Sequence, residues 1–158
     1  MYFKVTKRNE NAKLPERANL SDAGIDVFYC GEKSIVLKPG TSYLFNTGLS
    51  IEIPHGYALI VANRSSMAAK RGVIVGACVL DSGFAGEILI DLHMVNQVLD
   101  APLHLNPWVE IKPGDKIAQL ICIPVVHWLP IEVDGQELYR EMKPISNRGE
   151  GGFGSTGS

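Results

Sequence analysis

From Glu87 to Met94 the side chains alternate in character: Ile88, Ile90, Leu92 and Met94 fall on one side of an extended chain, and Glu87, Asp91 and His93 on the other. A period of two is the mark of a strand with one face buried. The same reading holds, with Pro and Gly signals between the runs, for Tyr2–Thr6, Ile25–Tyr29, Ser34–Leu37, Ser42–Phe45, Leu49–Ile53, Tyr57–Ala62 and Ile117–Ile123. Many short strands at this spacing predict an all-β sandwich or barrel. Helical patterning is confined to Ser65–Arg71, where Ser65 or Ser66 is expected to cap a turn or two.

The chain has 158 residues, one domain's worth, with no internal repeat and no dividing linker. A domain of this size buries roughly two-thirds of its unfolded surface, so no metal or disulfide staple is needed. The three cysteines, Cys30, Cys78 and Cys122, are widely spaced, odd in number and form no CxxC pair, which fits a reducing compartment. The longest apolar run, Val73–Leu80, is eight residues, far below the length of a membrane span, and Met1–Arg8 lacks the apolar core of a secretory signal. The expected location is the cytoplasm, or a host's cytoplasm for a viral or phage gene. With 15 Lys and Arg against 17 Asp and Glu, the net charge of −2 and the lack of a basic run exclude a sequence-independent nucleic-acid binder. His55, His93, His104 and His127 have no metal-ligand spacing. Asn147–Ser158 holds five glycines and one aromatic, too little apolar surface to order itself, so residues 1–146 are expected to form the β domain and residues 147–158 a mobile tail.

Three segments carry the residue types of a phosphate-handling site. Asp22-Ala-Gly-Ile-Asp26 is a turn entering a strand. Asn63-Arg64-Ser65-Ser66 joins an apolar strand to the short helix and offers a guanidinium, two hydroxyls and unpaired backbone N–H groups. In Cys78-Val-Leu-Asp81-Ser-Gly-Phe84-Ala-Gly86-Glu87 a carboxylate directly follows an apolar strand, and the glycines permit a tight hairpin beneath an aromatic ring. Such a carboxylate can orient and deprotonate a water. Each segment alone reads equally as turn or cap chemistry; only the combination is informative.

With GDKIAQL (Gly114–Leu120) and RGEGGFGSTG (Arg148–Gly157), these segments supply five ordered motifs over nearly the whole chain, which resembles the homotrimeric dUTPase family of all-β, jelly-roll-type nucleotidohydrolases. The resemblance implies that Asp81 activates the water that attacks the α-phosphorus of dUTP, giving dUMP and pyrophosphate. This reaction keeps uracil out of DNA and supplies thymidylate synthesis. It implies a magnesium ion held by Asp26 through coordinated waters, as suits an ion that keeps part of its hydration shell. Arg64, Ser65, Ser66 and Gln119 would contact the phosphates, and main-chain groups of Cys78, Val79, Leu80 and Leu89 the uracil edge. The Phe84 ring would lie against the deoxyribose and leave no room for a 2′-hydroxyl. The tail would close over the nucleotide, with Phe153 on uracil and Arg148, Gly154, Ser155 and Thr156 around the terminal phosphates. The expected assembly is a homotrimer with shared active sites.

The chain departs from the commonest pattern of that family in having Phe84 for Tyr, Cys78 for a frequent Gly, Asn63 for Pro and Ser66 for Gly. Residues 96–113 are longer than a tight hairpin needs, which suggests a loop at the surface or at a subunit contact. A dCTP deaminase, or a bifunctional deaminase and diphosphatase, shares the Asp81-Ser-Gly-Phe84 pattern but carries Glu and Arg where this chain has Asp91 and Ala69. A nucleotide-responsive regulator with a protein partner is the remaining alternative.

Overall fold

The computed structural model describes residues 2–95, 108–135, 137 and 138. It divides into two units, Met1–Val126 and His127–Ser158, and among the described residues of the second there is no strand or helix. The boundary expected at residue 147, and the tail beyond it, lie outside the described residues.

The first unit runs β1 (Lys4–Lys7), β2 (Ile25–Phe28), β3 (Ile35–Leu37), β4 (Ser42–Asn46), β5 (Leu49–Glu52), β6 (Tyr57–Ala62), α1 (Ser65–Arg71), β7 (Val73–Val75), β8 (Val79–Leu80), β9 (Leu89–Met94), β10 (Val109–Ile111) and β11 (Lys116–Pro124). All pairings are antiparallel: β2-β11-β6-β8 form a four-stranded sheet, β4-β9-β7 a three-stranded one, and β1-β5 and β3-β10 two ribbons. This is the all-β, jelly-roll-type fold expected, with one short helix.

The alternation read along β9 is the one the fold uses. Ile88, Ile90, Leu92 and Met94 are buried, and Leu89, Asp91 and His93 are not. They join Val27, Phe45, Leu37, Ile111, Ile117 and Leu120 in one apolar core shared by all the sheets. Phe45 at its centre meets Tyr29 edge to face, ring centroids 5.0 Å apart. Burying a side chain of this kind contributes about 1.5–3 kcal/mol. Ile90→Ala, which empties a fully buried site on the central strand of its sheet, should cost about 2–5 kcal/mol, read as a lower denaturant midpoint with unchanged slope. A cost below 0.5 kcal/mol would contradict this packing.

Helix α1 has the predicted boundaries, but its cap is Arg64, in extended conformation and without a side-chain cap bond, rather than Ser65 or Ser66. The reason is local. The Arg64 side chain is drawn to β2, and the helix is anchored instead by buried Met67 and by a left-handed Gly72 whose N–H reaches the Met67 and Ala68 carbonyls. The apolar run Val73–Leu80 is not one strand. It breaks at Gly76 and Ala77, and its halves join different sheets. The segment 96–113 is likewise not all loop, because Val109–Ile111 pairs with β3.

Candidate active site

Three of the sequence motifs converge at one edge of the four-stranded sheet. Asp26 on β2 faces Gln119 on β11, which in turn faces Ala62 at the end of β6. The chain then turns through Asn63 and Arg64 into α1. The Arg64 guanidinium folds back: Nε donates to Asp26 Oδ1 at 2.9 Å, and Nη1 to the Lys116 carbonyl at 3.1 Å. Lys116 Nζ takes the other Asp26 oxygen at 3.0 Å and reaches Glu16 at 2.8 Å. These bonds raise the Lys116 pKa above its ordinary value of 10.5. Gln119 donates to the Asn63 carbonyl at 2.8 Å. A Cβ at Gly24 would run into the Gln119 side chain, which explains the glycine in that motif. Arg64, held at two points, presents its remaining N–H groups beside a groove of about 440 Å³ whose lining includes Ser66, Lys70, Arg71, Asp115 and Lys116. Cations outnumber carboxylates there, so the groove suits an anion. The hydroxyls of Ser65 and Ser66 are exposed and are not spent as caps.

Lys116 is a member of this cluster that the sequence reading did not single out. In a regular strand residues 116 and 119 point to opposite faces, but the ladder to β2 shifts between Lys116 and Ala118. That bulge turns Lys116 to the face shared by Phe28, Asp26 and Gln119. No period-two rule reveals an extra residue of this kind.

The third motif lies at the opposite edge of the same sheet. The β7–β9 ladder runs from Val73↔Met94 to Val75↔Leu92 and ends with Gly76 N–H on the Asp91 carbonyl at 2.9 Å. Continued in register it would set Cys78 against Leu89. Instead the Cys78 carbonyl accepts the N–H of Val61 at 2.8 Å, and β8 pairs with β6. The hairpin expected to be tight is therefore splayed. Its first arm peels away, so that residues 78–80 pair with β6 and leave the edge facing Leu89 open. Because hydrogen-bonded and non-bonded pairs alternate, the N–H and C=O of Val79 point away from β6 toward the open edge. Cys78, Val79 and Leu89 are exposed.

Asp81 follows β8 directly. It is exposed, its backbone carbonyl accepts the N–H of Phe84 at 3.3 Å, and among the described residues no ion pair engages its carboxylate. Gly83 carries the positive φ of the turn at 87°. The Phe84 ring lies over Gly86, where a Cβ would stand 2.6 Å from Cζ.

Among the described residues the expected site residues thus fall into two candidate half-sites. One holds Asp26, Arg64, Ser65, Ser66 and Gln119, and the other Cys78, Val79, Leu80, Asp81, Phe84 and Leu89. From β2 to β8 there are three strand spacings, about 14 Å, and the paired positions lie a further three residues apart along β6, about 10 Å. Arg148, Phe153, Gly154, Ser155 and Thr156 lie outside the described residues.

A jelly-roll scaffold that carries a basic anion groove at one sheet edge, and a splayed hairpin ending in an exposed carboxylate at the other, defines a phosphate-handling class of β proteins. The dUTPase family model matches residues 10–157, and the chain belongs to that family. It is 36% identical over 155 residues to a deoxyuridine 5′-triphosphate nucleotidohydrolase of Debaryomyces hansenii, covering 98% of this chain and 87% of that protein. It is 37% identical over 157 residues to one of Clostridium tetani, covering 98% and 96%. Among solved structures, a mutant of the Staphylococcus bacteriophage 80alpha dUTPase with dUpNHpp superposes with a TM-score of 0.83 at 26% identity, covering 99% of each chain.

Proposed function

We propose that the chain hydrolyses dUTP to dUMP and pyrophosphate, by attack on the α-phosphorus of a water oriented and deprotonated by Asp81, and so limits uracil entry into DNA while supplying dUMP. The observation that carries this reading is the splayed hairpin. Its open edge offers to a planar base the donor and acceptor of Val79, which have no partner among the described residues, with Asp81 one residue beyond the strand. A strand edge with fixed donors and acceptors suits uracil and leaves polar groups unpaired against cytosine. The Phe84 ring, three residues beyond Asp81, would exclude a ribose 2′-hydroxyl. An exposed carboxylate with no ion-pair partner among the described residues suits a base.

The phosphates would take the other half-site. Arg64 is fixed by Asp26 and the Lys116 carbonyl, so it can meet a phosphate oxygen with little loss of freedom. Ser65, Ser66 and Gln119 would add donors, and Arg148, Phe153, Gly154, Ser155 and Thr156 would complete the enclosure.

Magnesium would arrive with the triphosphate. Among the described residues no group of three or more His, Cys, Asp or Glu could cage a metal, and magnesium on a nucleotide requires none, since phosphates and waters fill most of its shell. Asp26 gives two of its roughly four lone-pair sites to Arg64 and Lys116, leaving capacity for metal-bound waters. The residues fit that water-mediated role. When bound, the ion supplies charge screening that lets an anionic base approach the phosphate.

Asp81 stands at the β8 edge, whereas the Arg64 guanidinium is tied to Asp26 on β2 and to the Lys116 carbonyl on β11, so within one chain the two groups are turned to different parts of the sheet rather than onto one α-phosphate. We therefore place each site between chains of a homotrimer. Trp128, Leu129 and Ile131, exposed at 76, 89 and 82% in the second unit, form an apolar stretch suited to cover by a partner chain. The test is a nucleotide panel with magnesium: pyrophosphate should be released from dUTP at least about 10²-fold faster, as kcat/KM, than from UTP, dCTP or dTTP. Equal rates with UTP would remove Phe84 as a filter, and ammonia release from dCTP would replace the assignment with deamination.

A further inference from the structure

The position of the Phe84 ring is set from outside its own turn. Within the turn one backbone bond is present, Phe84 N–H to the Asp81 carbonyl at 3.3 Å. The exit arm, by contrast, is laced to the start of β5. Thr47 Oγ1 donates to the Ile88 carbonyl at 2.7 Å, Ile88 N–H to the Leu49 carbonyl at 2.8 Å, and Gly48 N–H to Glu87 Oε1 at 2.7 Å. The last tie toward the tip is Ser50, whose Oγ donates to the Gly86 carbonyl at 2.8 Å. The same oxygen accepts from Arg8 Nη1 at 2.9 Å, and Arg8 N–H is itself fixed on the Gly48 carbonyl at 2.7 Å. A hydroxyl has one proton to give. With Arg8 on its lone pairs, the Ser50 proton is directed at Gly86.

Beyond Gly86 no further tie is made among the described residues. A cavity of about 460 Å³ opens between β1, β5 and residues 83–85, so among the described residues no packed floor lies under the tip carrying Phe84. The ring rests on the Gly86 backbone, close enough that a Cβ there would overlap it. Moving Gly86 therefore moves the ring.

From this we infer that Ser50, oriented by Arg8, is a positioning residue for the nucleoside filter: it holds Gly86, and through Gly86 the Phe84 ring, at the height that separates deoxyribose from ribose. The inference rests on the reading of Phe84 as the sugar filter. Without the Ser50 hydroxyl the tip can sink toward the cavity, and the ring withdraws from the sugar.

The experiment compares kcat/KM for dUTP and for UTP in the full-length enzyme and its Ser50→Ala, Ser50→Thr and Phe84→Ala variants. Losing one hydrogen bond of ordinary strength should lower the dUTP-to-UTP ratio roughly three- to tenfold in Ser50→Ala. Thr, which keeps the hydroxyl, should restore it. In the Phe84→Ala background, Ser50→Ala should have no further effect on the ratio, because there is no ring left to place. A Ser50→Ala protein with a lower melting temperature but an unchanged ratio would overturn the inference and leave the filter standing. An unchanged ratio in Phe84→Ala would overturn the filter itself, and the inference with it.

Discussion

Asp81→Asn should lower the single-turnover rate of dUTP hydrolysis by about 10²- to 10⁴-fold, the loss typical of a removed general base, while a non-hydrolysable dUTP analogue still binds. Asn keeps the size and most of the hydrogen bonding of Asp but cannot take a proton from water. The residue is well suited to such a clean test. It is exposed, lies just past the end of β8, and engages its neighbours through its backbone carbonyl, so the substitution disturbs no core contact. The effect should appear in kcat and kcat/KM alike, since the interaction lost is made only in the transition state. A near-native single-turnover rate would remove Asp81 from the chemistry.

The second large effect is a recovery. On the proposed reading, Arg64→Ala removes the phosphate contact of one half-site and Asp81→Asn the base of the other, so each variant should be nearly inactive by itself. If a site draws these residues from different chains, an equal mixture assembled at random should restore activity in about one quarter of the sites, those with an intact Asp81 from one chain and an intact Arg64 from its neighbour. The mixture should then show about a quarter of native activity, far above the sum of the two variants. The expectation follows from the placement of Asp26 and Arg64 at the β2 side of the sheet and of Asp81 at its β8 edge. A mixture no more active than the sum would place the whole site in one chain.

Much of this architecture was legible from residue patterns, and the exceptions have physical causes. Long alternating runs such as Tyr57–Ala62 and the β9 segment announce themselves because one face of each must be buried and the other not. A strand of three residues such as Val109–Ile111 carries too few alternations to register and exists because a partner strand is there to pair with. The cap of α1 was misplaced because the serines are good caps locally, whereas the conformation of Arg64 is decided by an ion pair with a residue 38 positions away. Asp26, Arg64 and Gln119 were all marked by their motifs, yet nothing in the spacing says that they meet. That follows from the pairing of β2 with β11 and of β11 with β6. The inclusion of Lys116 depends on a bulge, and the edge proposed to meet uracil depends on the departure of residues 78–80 from a ladder that sequence alone would have continued to a tight turn.

The central claim, that a water held by Asp81 attacks the α-phosphorus, is tested most directly by running a single turnover of dUTP with magnesium in heavy-oxygen water and weighing the products. In-line attack at the α-phosphorus forms the new P–O bond on the nucleotide and expels pyrophosphate, so the heavy oxygen should be found in dUMP and not in pyrophosphate. Label in pyrophosphate would mean attack at the β-phosphorus, and release of orthophosphate with dUDP would mean attack at the γ-phosphorus; either result would contradict the account.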